Sequence, residues 1–342
     1  MNEYVSNKIV VFNYIMTIGI VIFHWKYSFI ESLTNMNGYN FYQLFDLFGY
    51  IAVGYFFTVS GFLFFYNVNN YIDIFNKIKR RITSLVVPFL LWNLIAMIWS
   101  IIVLKKDLVI LEIIKGFTYE PYNGVLWYVF VLIILMLLSP ILYLWLSRND
   151  KSILFIGSIL IIVSLLGYYW TSFDNSLWWF TRILGYLPNY IIGAIFGSLK
   201  YVKVLNISRR MRIIAIMYLI LAILSFYRIT FFENYVILSR MVLVFLPISI
   251  WFIIPDDSVK NSPLWCMKTS FFIFTTHQIF LIPIFDKIER MVGILRFNSI
   301  SVGLLYFVVK VVALIGIVTI CCYFLKKKNN RLYQILSGGR GY

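Results

Sequence analysis

The chain holds only two histidines, and both lie in long apolar runs. His24 closes the run Ile20-Val21-Ile22-Phe23-His24-Trp25, and His277 sits in Phe274-Thr275-Thr276-His277-Gln278. An imidazole with a reference pKa of about 6.5 is mostly neutral at pH 7 and can take the proton of an attacking hydroxyl. Ionisable side chains inside a membrane are costly and tend to face a cavity or a partner. His24 is therefore the candidate general base. The competing reading is a hydrogen bond that ties two spans together. Residue type and position leave the two readings balanced for His24 and favour the structural one for His277.

Two further segments invite chemical readings. Gly54-Tyr55-Phe56-Phe57-Thr58-Val59-Ser60-Gly61-Phe62-Leu63 mixes aromatics with small residues. Small residues let helices approach closely, so packing is its first reading. Ser60 lacks the Gly-x-Ser-x-Gly elbow of a serine nucleophile. The basic run Lys77, Lys79, Arg80 and Arg81 precedes Ser84 and Pro88. Such a run at a helix end anchors topology, and it can also hold the phosphates of a cytosolic cofactor. Cys266, Cys321 and Cys322 lack C-x-x-C spacing, so neither a disulfide nor a metal site is expected.

The elements that must carry these groups follow from composition. The chain is 61% apolar, 20% aromatic and only 13% charged, too little charged surface for a soluble domain of this size. The expected fold class is all-α, a polytopic membrane protein with about ten transmembrane helices. Spans are expected over roughly 9–30, 44–66, 84–104, 125–147, 152–170, 182–199, 211–231, 235–254, 269–286 and 301–325, the split between the seventh and eighth being the least sharply marked. The first apolar stretch runs past Phe23 with no small-residue cleavage site, so it is expected to stay as a helix. No loop is long enough for a soluble domain, and residues 1–342 are read as one transmembrane domain.

The net charge of +16 does not point to nucleic acid, because the basic residues sit in short loops between apolar spans. With the N-terminus in the cytoplasm, 19 Lys and Arg fall on the inner side and 10 on the outer, with Lys310 inside the last span. The positive-inside rule then makes both termini cytoplasmic. His24 lies roughly 24 Å along the first helix from Lys8, in its outer half, and His277 lies near the middle of the ninth. Tyr168, Tyr169, Trp178 and Trp179, near the outer ends of spans five and six, read as interface-belt residues that can also stack on sugar rings.

Six segments, taken in order, carry a resemblance. They are the aliphatic run ending in His24; Val53 to Leu63 with its Val-Gly, paired aromatics and Ser-Gly-Phe; and Lys79-Arg80-Arg81 with Pro88 and Trp92. They continue with Leu126-Trp127-Tyr128 and Leu138-Ser139-Pro140, with Leu187-Pro188 through Gly193 and Gly197, and with Ser270-Phe271-Phe272-Ile273 before His277. Together these resemble the acyltransferase-3 family of bacterial membrane acyltransferases, which modify cell-surface and secreted glycans with acetyl or similar groups. Two positions depart from the family pattern. Asn13 stands eleven residues before His24, where family members commonly place an arginine, and Val129-Phe130 follows the Leu-Trp-aromatic segment where many relatives carry a basic residue. Asparagine forms hydrogen bonds but cannot neutralise a phosphate. Either Lys8, Arg80 or Arg81 supplies that charge, or the chain is a weakened member.

The resemblance implies a membrane O-acyltransferase in the bacterial cytoplasmic membrane. Its donor would be acetyl-CoA or another acyl-CoA from the cytoplasm, with no metal, and its acceptor a capsular, exopolysaccharide or lipid-linked oligosaccharide glycan. His24 would be the catalytic base, Arg80, Arg81 and Asn13 would face the cofactor, and His277, Ser60 and Trp127 would line the cavity. The rival class is a transporter or flippase for a lipid-linked sugar, which also needs many helices and buried polar groups. Against it, the carboxylates Asp46, Asp286 and Glu289 fall near span ends, where proton coupling is poorly served. A second rival is a relic, a sensor or scaffold that kept the fold and lost the chemistry; acyl-CoA binding separates enzyme from flippase, and turnover separates enzyme from relic.

Overall fold

The computed structural model describes residues 3–31, 39–103, 105, 109–147, 150–199, 209–227, 236–255, 258–259, 261–293 and 299–339. Outside them lie the expected split between spans seven and eight, and the topology residues Lys106, Arg148, Lys200, Lys203, Arg228, Lys260, Arg296 and Arg340. Among the described residues every regular element is helical. The helices are α1 (Glu3–Glu31), α2 (Tyr39–Phe65), α3 (Tyr71–Arg81), α4 (Val87–Ile102), α5 (Ile110–Gly116), α6 (Trp127–Leu137), α7 (Ser139–Leu146) and α8 (Asp150–Thr171). They continue with α9 (Trp178–Ser198), α10 (Arg209–Tyr227), α11 (Val236–Ile253), α12 (Ser270–Thr276), α13 (Ile282–Val292), α14 (Ile300–Lys328) and α15 (Asn330–Ser337). Among the described residues six helical stretches are long and apolar enough to cross a membrane, and the bent pair α6–α7 makes a seventh. The helices α9, α10 and α11 occupy the other three expected ranges.

Prolines set the irregularities. A proline within a helix lacks the N–H of the i→i−4 bond, and its ring crowds the carbonyl four residues back. The helix relieves this locally by widening into a π turn or by bending. A π turn at Ile82–Val86 precedes Pro88, and another at His277–Leu281 precedes Pro283. In the second, the Ile282 N–H reaches back five residues to the His277 carbonyl. Near Pro140 the chain bends by 51° between α6 and α7, so the expected span over 125–147 is a broken one.

The chain divides into two compact units. The first comprises Met1–Ile9, Tyr50–Arg81 and Val131–Ser262. Its central seam is the crossing of α2 and α9, where a Cβ on Gly61 would collide with the Tyr190 carbonyl and one on Gly193 with the Thr58 carbonyl. The aromatic and small segment 54–63 is thus a packing surface, as close helix approach requires. Leu165, Ile192 and Val244 form a buried cluster from α8, α9 and α11. Two lysines close helix C-termini, where carbonyls lack partners and cations are favoured. Lys8 donates to the Trp251 and Ile254 carbonyls at 2.8 and 2.7 Å, at the end of α11. Lys77 donates to the Phe64 carbonyl at 2.7 Å and to that of Tyr66, at the end of α2.

The second unit comprises Val10–Gly49, Ile82–Phe130 and Pro263–Tyr342. The Trp92 indole donates to the Leu336 carbonyl at 3.0 Å, and Phe272 stacks on Tyr333, so α15 is held against α4 and α12. Gly338 ends α15 at φ +64°, and the Ser84 carbonyl of the first π turn fills the space its Cβ would take. Only glycine meets both demands without strain.

Candidate active site

The first helix carries His24 in a stretch whose neighbours are all fixed within the second unit. Phe23 packs so close to Gly49 that a Cβ there would lie 2.6 Å from the phenyl ring. Trp25 is fully buried, and its indole N–H donates to Asp286 Oδ1 at 3.0 Å. Lys26 is buried in an ion pair with Asp46, its ammonium 4.4 Å from the Phe23 ring centroid. Lys310, from the middle of α14, pairs with Glu289 at 2.7 Å and lies 4.6 Å from the centroid of the Trp25 ring. The Tyr306 hydroxyl donates to Glu289 at 2.8 Å. The three carboxylates Asp46, Asp286 and Glu289 therefore each hold a named partner, and together they fix the rotation of α1 about its axis.

That rotation sets His24 against His277. Their ring centroids are 5.2 Å apart and the rings are tilted by 48°. His24 is half-buried, whereas His277 is fully buried at the start of the second π turn. His277 Nδ1 lies 3.0 Å from the Ile273 carbonyl. A carbonyl only accepts, so Nδ1 carries the proton and Nε2 carries the lone pair. Among the described residues that buried Nε2 has no hydrogen-bond partner.

Other acceptors in this unit share that condition. Asn123 donates through Nδ2 to the Thr275 carbonyl at 2.7 Å, and its backbone N–H donates to Asn93 Oδ1 at 3.3 Å, which leaves Asn123 Oδ1 buried without a donor. Gln278 Oε1 is likewise without a donor, and it sits 3.2 Å from where a Cβ on Gly124 would be. Asn13 Oδ1 is a third such acceptor, on α1. A buried acceptor left unmatched costs about 1–3 kcal/mol. Natural proteins keep such groups sparingly, and often where a ligand completes them.

The other expected site residues are distributed as follows. Asn13 and His24 share one continuous helix, roughly 16 Å apart. Trp127 opens α6 in the second unit, half-buried. Ser60, Arg80 and Arg81 belong to the first unit. Arg80 is exposed and Arg81 half-buried at the C-terminal end of α3, whose one buried side chain is Ile74. Lys8 and Lys77 are engaged with helix carbonyls, and Lys79 and Arg80 are the exposed basic residues of those segments. Thr58, Val59 and Phe62 line a cavity in the first unit, walled chiefly by aliphatic and aromatic side chains. Ser60 is not among its lining residues.

Sequence reasoning passed over the brace of Trp25, Asp286, Glu289 and Lys310, and the acceptors of Asn123 and Gln278. The brace had a signal. Asp286 and Glu289 are three residues apart and so share a helix face, and Lys310 is a lone cation within an apolar span. Asn123 and Gln278 had none, because their significance lies in which of their atoms stay unmatched.

The sequence matches the acyltransferase-domain family over residues 13–326, a stretch that contains both histidines, the brace and the basic run. No curated protein and no solved structure matches the chain. With nearly the whole chain covered, and with apolar helices able to cross a bilayer several times over, the protein is a multi-pass membrane member of the acyltransferase-3 family.

Proposed function

We propose that the chain is an O-acyltransferase that moves an acetyl or similar acyl group from a cytoplasmic acyl-CoA to a hydroxyl of a cell-envelope glycan. The observation that carries this reading is the pair of histidines, His24 half-buried and locked by its neighbours, and His277 presenting a lone pair beside it. In the reaction the glycan hydroxyl oxygen attacks the thioester carbon while His24 takes the hydroxyl proton. The C–S bond then breaks, and the CoA thiolate recovers the proton from the imidazolium. The unmatched acceptors His277 Nε2, Asn123 Oδ1 and Gln278 Oε1 suit a ligand rich in hydroxyl donors, as a sugar is.

Arg80 and Arg81 are assigned to the CoA phosphates, since a guanidinium meets phosphate oxygens in a two-pronged fork. Asn13 is assigned to the cofactor, and Trp127 to the cavity wall. In this account the chain crosses the bacterial cytoplasmic membrane ten times with both termini inside. CoA, too highly charged to cross, then meets an acceptor from the other side, and the reacting atoms must come within about 3–3.5 Å.

The test is transfer by the intact protein in lipid vesicles, supplied with labelled acetyl-CoA and membrane glycan. Label that enters the glycan and is released by mild alkali identifies an ester and supports the reading. Absence of label together with failure to bind CoA overturns it in favour of a transporter or a relic.

A further inference from the structure

Arg240 is a cation caged by aromatic rings in the first unit. It lies near the start of the apolar helix α11, and its guanidinium carbon is 4.4 Å from the Tyr168 ring centroid, 5.2 Å from that of Tyr50 and 5.7 Å from that of Tyr186. Those rings come from α8, α2 and α9, so four helices contribute to the cage. Inside it the guanidinium is hydrogen-bonded to Tyr168. A guanidinium has five N–H donors, and among the described residues the groups that act most strongly on Arg240 are the Tyr50, Tyr168 and Tyr186 phenols, not a carboxylate. Arg182, stacked on Trp178 at 4.7 Å, is close enough to repel it.

Two cations held near each other among apolar helices favour an anion, and arginine's planar fork suits phosphate oxygens. Arg240 keeps part of its surface accessible. Trp170, Phe173 and Phe180, at the same ends of α8 and α9, are exposed apolar side chains. A ligand arriving over that surface is matched by a hydrocarbon tail.

We propose that Arg240, with Arg182 beside it, binds the phosphate of a membrane lipid within the cage of Tyr50, Tyr168 and Tyr186. The phosphate takes hydrogen bonds from guanidinium N–H donors, and the tail lies along the aromatic surface. The same lipid phosphate chemistry occurs in two sources, a bulk anionic phospholipid and a phosphorylated polyprenyl carrier. The proposal is independent of the acyl-transfer reading and stands if that reading fails.

The experiment is native mass spectrometry of the full chain released from micelles doped with phosphatidylcholine, phosphatidylglycerol or polyprenyl phosphate. Wild type is expected to retain an anionic lipid about tenfold better than phosphatidylcholine, the effect of one charge-assisted hydrogen bond. Arg240→Gln is expected to lose that preference. Stronger retention of polyprenyl phosphate than of phosphatidylglycerol identifies the carrier as the source, and equal retention identifies bulk lipid. The melting temperature of wild type with each lipid needs no variant at all. Equal retention of all three lipids by wild type, with equal melting temperatures, overturns the proposal, as does full preference in Arg240→Gln.

Discussion

Removing Lys310 alone should damage the protein more than removing Lys310 and Glu289 together. The pair is 2.7 Å long, and its side chains are only 6% and 13% exposed, so each charge depends on the other for compensation. Lys310→Met leaves Glu289 buried with the hydrogen bond from Tyr306 but without its ion-pair partner. Breaking one partner of a buried pair costs about 3–5 kcal/mol, whereas replacing both by neutral groups of similar volume is close to neutral. Glu289→Gln should be somewhat milder than Lys310→Met, because Lys310 keeps the faces of Trp25 and Tyr306. The double variant Lys310→Met/Glu289→Gln should recover at least about 2 kcal/mol of the summed losses, the signature of direct coupling. The assay is equilibrium unfolding of the four proteins by titration of a denaturing detergent into micelles, with acyl transfer measured in parallel. Activity should follow stability, since the pair braces Trp25 beside His24. Losses that simply add, with no recovery in the double variant, would refute the brace.

Other consequences concern the site and the seam. His277→Phe keeps a ring against His24 but removes the lone pair, and should lower transfer by about a hundredfold with little change in melting temperature; unaltered transfer would leave His277 a packing residue. The pair Arg80→Gln/Arg81→Gln should raise the KM for acyl-CoA by about tenfold or more while leaving kcat near wild type. A KM that stays put would send the CoA phosphates elsewhere. Gly193→Ala places a methyl against the Thr58 carbonyl and must push α2 from α9. A loss of about 1–3 kcal/mol is expected in the same unfolding assay, and an unchanged midpoint would contradict the close crossing.

Much of this was legible in the chain because apolar solvent constrains a sequence severely. Apolar runs marked where helices lie, and two histidines and Lys310 stood out against them. The prolines at 88, 140 and 283 were visible as well, but not their local outcome. The same residue type gives a π turn before Pro88 and Pro283 and a 51° bend near Pro140. Lys77 read as part of a basic run, yet it closes the end of α2; an apolar segment does not advertise that its last carbonyls need a donor. The meeting of His24 and His277 joins residues far apart in the chain, and no local spacing encodes it. The seam of Gly61, Gly193 and Gly197 was readable as small residues suited to close packing, but not which pairs of them meet.

The most direct test of the central claim is acyl transfer by His24→Ala compared with wild type, both in vesicles with labelled acetyl-CoA and membrane glycan. A general base contributes about 10²- to 10⁴-fold, so the account predicts that transfer falls by at least about a hundredfold while acyl-CoA binding and the melting temperature stay near wild type. Transfer at the wild-type rate in His24→Ala would contradict it.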